Sequence, residues 1–562
     1  MGKRIVVIGG VAAGPKAAAR ARRLDPSAEI TIVEKDEILS YASCGLPYYI
    51  SGMVKARRQL ITSSAGALRD PQFFAKVKNI KVLNKTLAVA VDRQAREVEV
   101  QDLSTGETRR LPYDKLIIAT GAETLEPPIP GKDLQNVVRL KRVEDADRFR
   151  AYVESQPRSQ VVLVGGGLIG IEMAEALTLK GFDVTIVEML PHILPMLDAD
   201  VTSLLEKYLR NMGVKLALGA RVERFDGDDQ GRLKSVVTTK GTFEAPLALL
   251  SIGFRPNVEL ARKAGLLIGT SGGIVVNQYM QTSDPNIYAA GDCAEKSCTM
   301  RGTSCFLPLG SVANKEGRVA GSHAVGHTDR FPGVVGATAV KIFDWNVGRA
   351  GLSVEQATAL GIPVVSMTVA GGDKPHYYPG NNEVILKLVG EKASRRLLGI
   401  EGMGPGEVIK RIDVAITAMA GRMTVDEVAQ LDLAYAPPYS EAMDVLIQAA
   451  NALRNKMDGL LRSVNCVELQ ARRQAGQELF LLDVRTPAEF AGAHLPGSEL
   501  IPLAAVRERV AEVPRDKPVI VYCGVSLRAW EAFCILKGYG YDNVELLEGG
   551  MAAWAFETEA GA

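Results

Sequence analysis

The amino-acid sequence predicts a multidomain α/β protein, because one strand–turn–helix–strand pattern occurs in it twice. In each copy an apolar strand leads into a glycine-rich turn and a helix rich in small residues, and a second strand ends in an acidic residue. These acidic residues are Glu34 and Glu188. The chain has 562 residues, and a domain holds roughly 150. We therefore expect about four domains, two of them Rossmann-like units that bind dinucleotides.

The composition argues against nucleic-acid and membrane partners. The 66 Lys and Arg residues balance the 65 Asp and Glu residues, so no net charge attracts nucleic acid or an anionic bilayer. Glycine, proline or charge interrupts every apolar run before it reaches the roughly 18 residues of a membrane span. The chain passes from Lys3 and Arg4 directly into a strand, without a signal-peptide pattern. These observations predict a cytoplasmic protein.

The cysteines are odd in number, scattered and without CxxC spacing. They are Cys44, Cys293, Cys298, Cys305, Cys466, Cys523 and Cys534. This pattern predicts neither a disulfide scaffold nor a structural metal site. Individual thiols are therefore the candidates for chemistry.

The second glycine turn satisfies the full G-x-G-x-x-G pattern with Gly165, Gly167 and Gly170. Glycine is needed there because a side chain would block the tight turn and the approach of a pyrophosphate to the helix N-terminus. Glu188, eighteen residues after Gly170, is placed to accept the adenosine ribose hydroxyls. The residues that follow it directly include no arginine for a 2′-phosphate, so the sequence predicts NADH rather than NADPH.

The first glycine turn keeps Gly9 and Gly14 but has Val11 in the place of the middle glycine. On its own this match also fits an ordinary turn between a strand and a helix. Glu34 favours a second nucleotide site, because it lies where a carboxylate would hold the adenosine ribose of FAD. We assign the adjacent Lys35 to the same cofactor.

Four motifs in order resemble the two-dinucleotide flavoprotein disulfide reductases over about residues 1–445. They are the first glycine turn, Ala119-Thr120-Gly121, the second glycine turn and Ala290-Gly291-Asp292. The resemblance implies that FAD and NADH are bound. It also implies that Asp292 contacts the ribityl chain of the flavin.

Cys44 lies where that family keeps its redox cysteine, in the sequence SYASCGLPYY. No second cysteine is near it in the sequence, so its oxidised form is a mixed disulfide, a persulfide or a sulfenic acid. The CGLPYY context resembles the coenzyme A-disulfide reductase and NADH oxidase branch, in which this cysteine cycles through a disulfide with coenzyme A or through a sulfenate. The alternative is a buried, inert thiol.

In the same branch, tyrosines take the place of the acid histidine that other flavoprotein disulfide reductases carry. None of the five histidines falls in the expected catalytic stretch of the interface domain, and HYYPG and AYAPPYS resemble the branch at Tyr377 and Tyr435. The resemblance implies a homodimer in which these tyrosines reach the cysteine-bound sulfur of the partner subunit. Tyr378 and Tyr439 are the neighbouring rivals, and hydrogen-bonded packing is the alternative role.

Coenzyme A carries phosphates, so its site needs local cations. Arg22 resembles the family's coenzyme A contact, and Arg20 and Arg23 lie beside it in the sequence. Solvation at the surface is the alternative for each arginine. Ser40 and Ser43 are candidates for hydrogen bonds near the thiol, although relatives carry Asn in place of Ser43.

The C-terminal segment resembles rhodanese in the order of its motifs, from Asp483 to a Tyr-Cys-Gly-Val-Ser-Leu-Arg run. A strand that ends at Cys523 and a short loop that enters a helix direct backbone N–H groups at the sulfur. Arg528 closes a six-residue loop, the size associated with sulfur chemistry. Ser526 replaces the usual glycine, and an inactive module is the alternative. We expect Cys534, in the following helix, to belong to the core.

The sequence therefore predicts a doubly wound flavoprotein with an α+β dimerisation domain and an appended rhodanese-like α/β domain. Its expected parts are 1–112 and 250–325 for FAD, 113–249 for NADH, 326–447 for dimerisation, 448–465 as linker and 466–562 for rhodanese. The first functional hypothesis is NADH-dependent reduction of coenzyme A persulfide or polysulfide. The alternatives are reduction of coenzyme A disulfide or oxygen, and a sulfurtransferase relay.

Overall fold

The computed structural model describes residues 2–155 and 159–560. The chain divides into two compact units, Met1–Met189 with Ala217–Val334, and Leu190–Leu216 with Val335–Ala562. Within the described ranges, no helix is both long and apolar enough to cross a bilayer.

The first unit begins with a parallel five-stranded sheet. Its strands lie in the order Ile287–Ala289, Lys115–Ile118, Arg4–Ile8, Glu29–Val33 and Lys81–Leu83. The central strands are continuous apolar runs because both faces of a parallel sheet are covered. This is the Rossmann-like architecture that the first sequence repeat predicts.

Two helices of this unit pack closely against each other, Ala13–Leu24 and Gly310–Ala324. A Cβ atom at Gly317 would lie 2.4 Å from the carbonyl oxygen of Ala13, and one at Gly321 would lie 2.3 Å from that of Ala17. Glycine is therefore required at both positions. The close approach fixes where the helix Gly310–Ala324 begins.

A second parallel sheet follows the second glycine turn. Its strands include, side by side, Asp183–Glu188, Gln160–Val164, Leu247–Leu250 and Val137–Arg139. The helices Leu168–Leu179 and Val143–Ser155 belong to the same unit. The second repeat is thus a second Rossmann-like domain, and the predicted fold class is confirmed.

Small antiparallel pairings and short helices complete the first unit. The strands are Thr86–Asp92, Glu97–Asp102 and Thr108–Pro112 in one sheet, Val222–Gly227, Leu233–Thr238 and Gly241–Glu244 in another, and the pairs Ala122–Thr124 with Phe254–Pro256 and Lys296–Cys298 with Thr303–Cys305. The helices are Leu46–Ser51, Arg57–Leu60, Pro71–Lys78 and Glu259–Lys263. They connect the parallel sheets to the loops that carry the site.

The second unit contains an antiparallel five-stranded sheet. Its strands lie in the order Thr338–Ile342, Trp345–Gly351, Leu397–Gly404, Glu383–Glu391 and Val364–Gly372. The helices of this part are Ala199–Asn211, Val354–Ala359, Val408–Ala420, Val425–Val428 and Val445–Met457. The arrangement is an α+β domain.

Most of the segment 448–465, which the sequence predicts as a linker, is packed helix. The helix Val445–Met457 buries one apolar face and contacts the strand Val364–Gly372. A Cβ atom at Gly371 would lie 3.2 Å from a methyl group of Val445. Mixed charge in the sequence reflects the solvent face of this helix, which is why it resembles a linker.

The C-terminal part of this unit is a parallel sheet with its own core. The strand order is Ser463–Val464, Val544–Leu547, Val519–Tyr522, Phe480–Asp483 and Ser498–Leu500. The helices are Cys466–Gln474, Pro487–Gly492 and Leu527–Gly538. The expectation that Cys534 belongs to the core is wrong, because this residue lies on the exposed face of Leu527–Gly538.

Candidate functional site

The first glycine turn is held by two close backbone contacts. Gly9 has a φ of 110°, and a Cβ atom there would lie 2.1 Å from the carbonyl oxygen of Ala119. A Cβ atom at Gly14 would lie 1.9 Å from the carbonyl oxygen of Gly9. Both glycines predicted from the sequence are therefore required for the turn itself.

The two acidic residues that end the second strands have the same local partner. The Glu34 carboxylate accepts a hydrogen bond of 2.6 Å from the backbone N–H of Gly10, and Glu188 accepts one of 2.6 Å from Gly166. Burial raises the pKa of Glu34. Each acid thus stabilises its own glycine turn, a role that the sequence analysis does not anticipate.

One cavity of about 380 Å³ joins the predicted FAD motifs to the predicted redox cysteine. Its lining includes Gly9, Val11, Glu34, Lys35, Ser43, Cys44, Ala119, Thr120, Gly121, Asp292 and Gly310. These residues come from distant parts of the sequence, and the parallel sheet brings their loops together. The thiol of Cys44 therefore shares a cavity with the first nucleotide-binding turn.

Cys44 is exposed within the short 3-10 turn Ser43–Gly45, directly before the helix Leu46–Ser51. A Cβ atom at Gly310 would lie 4.0 Å from its sulfur, so the first residue of the helix Gly310–Ala324 is adjacent to the thiol. Burial raises the pKa of Tyr48, and Glu172, Glu175 and Cys44 add to this effect. The thiol is thus accessible and lies beside the positive end of a helix dipole.

Asp292 lies in the cavity beside a cation that the sequence analysis missed. Burial raises the pKa of Asp292, whereas the charge of Lys141 opposes that shift. Lys141 also lines the cavity, and burial lowers its pKa. No local motif marks Lys141, because its proximity to Asp292 depends on the tertiary fold.

A buried ion pair stabilises the Ala290-Gly291-Asp292 motif. Lys296 and Glu316 lie 3.1 Å apart, and both are almost fully buried. Glu316 also accepts a hydrogen bond of 2.8 Å from the backbone N–H of Gly291. Burial raises the pKa of Glu316 to about 7. The pair fixes the backbone directly before Asp292.

The cavity fits the nucleotide and flavin that its motifs predict. Gly121 lines it with a φ of 70°, and apart from its two chain neighbours no atom of the described residues lies within 4 Å of the place that a Cβ atom would take. Thr120 donates a hydrogen bond of 2.6 Å to the carbonyl oxygen of Asn257, which fixes this segment. The space beside the turn is therefore kept open by backbone rather than filled by side chains.

The second glycine turn shows three different reasons for glycine. Gly165 has a φ of 107°, and a Cβ atom there would lie 2.5 Å from the carbonyl oxygen of Ser251. A Cβ atom at Gly170 would lie 2.1 Å from the carbonyl oxygen of Gly165. At Gly167, the residue before the helix Leu168–Leu179, a Cβ position has no atom within 4 Å in the described part of the chain apart from the two chain neighbours. Tight turn, close packing and open space for a pyrophosphate are thus all present.

Glu172, in the helix after that turn, is a titratable group that the motif search missed. Burial, followed by the charge of Glu175, raises its pKa to about 7. It also acts on the pKa of Tyr48, next to the Cys44 segment. A helical Glu carries no sequence signal of such burial.

The structure brings the two chosen tyrosines together. Tyr377 and Tyr435 are 65% and 52% exposed, although large aromatic side chains are usually buried. The pKa of Tyr377 is raised by loss of solvent and by the neighbouring Tyr435. Of the rivals, Tyr439 is 62% exposed and Tyr378 is half-buried.

The arginine and serine candidates have local partners. Arg22 donates hydrogen bonds to the carbonyl oxygens of Asn79 and Pro26, and Arg20 donates one to the hydroxyl of Ser322. The Ser40 backbone N–H donates a hydrogen bond of 2.7 Å to the carbonyl oxygen of Gly10. Ser40 thus ties the Cys44 segment to the first glycine turn.

Cys523 is fully buried where the strand Val519–Tyr522 ends. The backbone N–H of Met551 donates a hydrogen bond of 2.9 Å to the carbonyl oxygen of Cys523. A Cβ atom at Gly550 would lie 2.4 Å from the same oxygen, so this neighbouring turn must carry glycine. Contacts with Gly550 and Met551 therefore hold the start of the loop after Cys523 in place.

An ion pair lies over the Cys523 loop. Arg528 donates hydrogen bonds of 2.6 and 2.8 Å to the two carboxylate oxygens of Glu489. This pairing lowers the pKa of Glu489 to about 2. It also raises the pKa of Arg528, and Cys523 adds to this shift. A Cβ atom at Gly524 would lie 3.4 Å from a guanidinium nitrogen of Arg528, so the cation lies beside the residue that follows Cys523. Glu489, its partner, has no role in the sequence-based prediction.

Ser526 has a backbone conformation that favours glycine. Its φ is 93°, and its buried hydroxyl has no hydrogen-bond partner among the described residues. The departure from the usual glycine therefore carries a conformational cost of roughly 1–3 kcal/mol. A cavity of about 760 Å³ adjoins this residue, and Val525, Trp530, His376 and Gln448 also line it.

Comparisons with known proteins identify the family of each part of the chain. Residues 3–317 match the pyridine nucleotide-disulphide oxidoreductase family, residues 337–447 match its dimerisation domain, and residues 466–557 match the rhodanese-like domain. A CoA-dependent NAD(P)H sulfur oxidoreductase from Pyrococcus abyssi is 37% identical over 80% of this chain and 98% of that protein.

Two solved structures cover nearly the whole chain. A NAD-dependent persulfide reductase from A. fulgidus is 42% identical, with a TM-score of 0.94 over 98% of this chain and 100% of that one. The reduced CoADR-RHD of Bacillus anthracis is 34% identical, with a TM-score of 0.91 over 98% of each chain. The chain therefore belongs to the pyridine nucleotide-disulphide oxidoreductases and carries a dimerisation domain and a rhodanese-like domain.

Proposed function

We propose that this protein is an FAD-dependent NADH oxidoreductase that reduces the sulfane sulfur of persulfides or polysulfides to sulfide through Cys44. The observation that carries the proposal is that Cys44 lines the same cavity as the first glycine turn and Asp292. Coenzyme A persulfide is the substrate type that we favour. The name of the Pyrococcus abyssi relative, which specifies sulfur and coenzyme A, supports this choice.

The cofactors follow from the two glycine turns. FAD would be held by the first turn, with Glu34, Lys35, Ala119, Thr120, Gly121 and Asp292 around it. NADH would lie on the second turn, with its pyrophosphate at Gly167, where the structure leaves open space. The acidic Glu188 disfavours a 2′-phosphate, which supports NADH over NADPH. Use of NADH also suits the expected cytoplasmic location.

The bound flavin supplies hydride chemistry between NADH and sulfur. Cys44 supplies the thiolate that attacks the sulfur bound to coenzyme A in the persulfide, so that a mixed disulfide with coenzyme A forms and hydrosulfide leaves. Two electrons and a proton then return the mixed disulfide to a Cys44 thiolate and free coenzyme A. An accessible single thiol suits this cycle, because no second cysteine need be displaced.

Coenzyme A and a second subunit complete the proposed site. Arg22, Ser40 and Ser43 are our candidates for contacts with coenzyme A. Tyr377 and Tyr435 would reach the cysteine-bound sulfur of the partner in a homodimer. Their exposure and the effect of Tyr435 on the pKa of Tyr377 support a role at an interface.

Cys523 would collect sulfane sulfur as its own persulfide and transfer it to coenzyme A. The Arg528 guanidinium, whose pKa Cys523 helps to raise, would stabilise the persulfide anion. Coenzyme A persulfide would then act as the carrier to Cys44.

Two other functions are compatible with particular observations. Reduction of coenzyme A disulfide or oxygen fits the single accessible Cys44, and the rhodanese-like domain would then be accessory. A sulfurtransferase relay fits the arginine-supported Cys523. Each alternative predicts a preferred acceptor that differs from the sulfane sulfur of the main proposal.

The decisive experiment is anaerobic NADH oxidation with detection of sulfide. Coenzyme A persulfide, inorganic polysulfide, coenzyme A disulfide and, in a separate aerobic series, oxygen are compared as acceptors. We expect the fastest turnover with a sulfane-sulfur acceptor and release of sulfide in step with NADH. Faster turnover with coenzyme A disulfide would overturn the proposal.

A cysteine variant separates the relay from reduction. Cys523→Ser should abolish transfer of sulfur to coenzyme A but leave NADH oxidation with coenzyme A persulfide intact. If the variant lost both, Cys523 would belong to the reductive cycle itself.

A further inference from the structure

Two further cysteines lie on neighbouring strands of the first unit. The strands Lys296–Cys298 and Thr303–Cys305 form an antiparallel pair, in which Cys298 is opposite Thr303 and Cys305 is opposite Lys296. Because side chains alternate along a strand, Cys298 and Cys305 are diagonal neighbours on one face of the pair. Neither has a part in the proposed reduction at Cys44.

The two thiols are close enough to affect each other's titration. Interaction with the Cys305 thiol lowers the pKa of Cys298 to about 6, and the same interaction raises the pKa of Cys305. The backbone N–H groups of Arg301 and Gly302 donate hydrogen bonds of 3.2 and 2.9 Å to the carbonyl oxygen of Cys298, which closes the turn beside the thiol. The charge of Arg301 also lowers the pKa of Cys298. Cys298 is buried and Cys305 is half-buried, so the pair is close to the surface without being fully exposed.

We propose that Cys298 and Cys305 form a second redox site, a dithiol that reduces one persulfide or polysulfide sulfur and becomes a disulfide. The identity of the oxidant rests on the proposed function, whereas the thiol pair itself does not. The site is distinct from Cys44, which has no partner thiol close to it in the sequence.

The reaction balances with the persulfide as its oxidant. The Cys298 thiolate attacks the sulfane sulfur of R–S–SH, the bond between its two sulfurs breaks, and R–S⁻ leaves. Cys305 then attacks the Cys298 sulfur of the new persulfide, and hydrosulfide leaves as the disulfide forms. Two thiols lose two electrons, the sulfane sulfur gains them, and the two thiol protons pass to R–S⁻ and hydrosulfide.

The geometry gives the disulfide a structural consequence. Diagonal Cα atoms lie about 7–8 Å apart, whereas disulfides span about 4.4–6.8 Å, so the strands must draw together. The chain continues from Cys305 through Pro308 to Gly310, both of which line the cavity that contains Cys44. Oxidation of the pair would therefore shift a segment of that cavity, and a thiol could reverse it.

Peptide mapping of the full-length protein tests the proposal directly. Trypsin cleaves after Lys296, Arg301 and Lys315, so the two cysteines fall in separate peptides, 297–301 and 302–315. The reduced protein is treated anaerobically with inorganic polysulfide, without NADH, and its free thiols are alkylated before digestion. We expect most of the two peptides to be recovered as one disulfide-linked species that is lost on reduction.

Three variants complete the test. Cys534→Ser removes an exposed thiol outside the pair and should leave the linked peptide unchanged. Cys298→Ser should abolish it and leave Cys305 as a free thiol that is alkylated. Cys305→Ser should also abolish it, but should leave Cys298 as a persulfide alkylated on its outer sulfur, so that its peptide is one sulfur atom heavier. The thiol content of each variant is measured. Circular dichroism checks its fold, so that a variant that has lost its structure is recognised.

The outcomes separate this inference from the proposed function. If both peptides stay alkylated while Cys44 or Cys523 takes up sulfur, the second redox site is refuted. If the linked peptide forms but the protein oxidises no NADH with any sulfane acceptor, the thiol pair stands and the proposed function fails.

Discussion

The two predicted reactive cysteines lie in opposite kinds of environment. Cys44 is exposed at the edge of a cofactor cavity, and its sequence neighbourhood contains no other thiol. Cys523 is fully buried in a loop closed by a guanidinium group and its carboxylate partner. An exposed thiol suits exchange with a large disulfide substrate, whereas an enclosed sulfur beside a cation suits a stored persulfide. The contrast explains why one chain contains both.

The largest expected effect is the loss of NADH oxidation when the thiol of Cys44 is removed, and it distinguishes the Cys44 site from the Cys523 site. Cys44→Ser should lower NADH oxidation with coenzyme A persulfide by at least about 10³-fold, because the nucleophile is lost. The rate is measured anaerobically, with Cys523→Ser as the matched control. Equal losses in the two variants would remove the distinction between the sites.

Removal of the guanidinium group should affect only the buried site. Arg528→Ala should reduce the amount of persulfide on Cys523 by about 10–100-fold, because a charge-assisted hydrogen bond is lost and Glu489 is left unpaired. Mass measurement of the sulfur adduct gives the occupancy. Arg528→Lys keeps the positive charge but cannot form both hydrogen bonds to the carboxylate, so its persulfide occupancy should lie between those of the wild type and Arg528→Ala. Full occupancy in Arg528→Ala would assign persulfide stabilisation to the loop backbone instead.

A methyl group at the second glycine turn should weaken NADH binding, and therefore reduction at Cys44, without affecting Cys523. Gly167→Ala places a Cβ atom where the structure leaves open space for the pyrophosphate, so the KM for NADH should rise about tenfold. Gly492→Ala is the control, since that site is also open and lies in the C-terminal domain. An unchanged KM would place the nucleotide elsewhere.

The smallest expected effect concerns the strained loop residue. Ser526→Gly relieves a φ of 93° and removes a buried hydroxyl that has no partner among the described residues. The free energy of unfolding of the rhodanese-like domain should rise by about 1 kcal/mol, visible in a urea titration. A loss of stability would mean that the hydroxyl has a partner that outweighs the strain.

Local patterns allowed the sequence to predict much of the fold and part of the site. Gly9, Gly165 and Cys44 are recognisable because the backbone geometry they serve lies within a few residues of them. The same reasoning predicts both parallel sheets, since each repeat contains its own turn and helix. The helix Val445–Met457 falls mainly in the predicted linker, because its buried face is recognisable only once the sheet beside it is known.

Contacts between distant segments could not be predicted in this way. Lys141 beside Asp292 and Glu489 beside Arg528 are brought together by strand order, which no spacing rule encodes. Cys298 and Cys305 are scattered thiols in the sequence, because their proximity depends on the register of a short strand pair. Burial of Glu172 likewise depends on what packs against its helix.

The most direct test of the account is rapid mixing of the NADH-reduced enzyme with coenzyme A persulfide, without oxygen. Flavin absorbance and sulfide are followed in the wild type and in Cys44→Ser. The account predicts that the wild-type flavin is reoxidised as sulfide appears and that the flavin of Cys44→Ser stays reduced. Equally fast reoxidation in the variant would contradict the assignment of Cys44 as the redox centre.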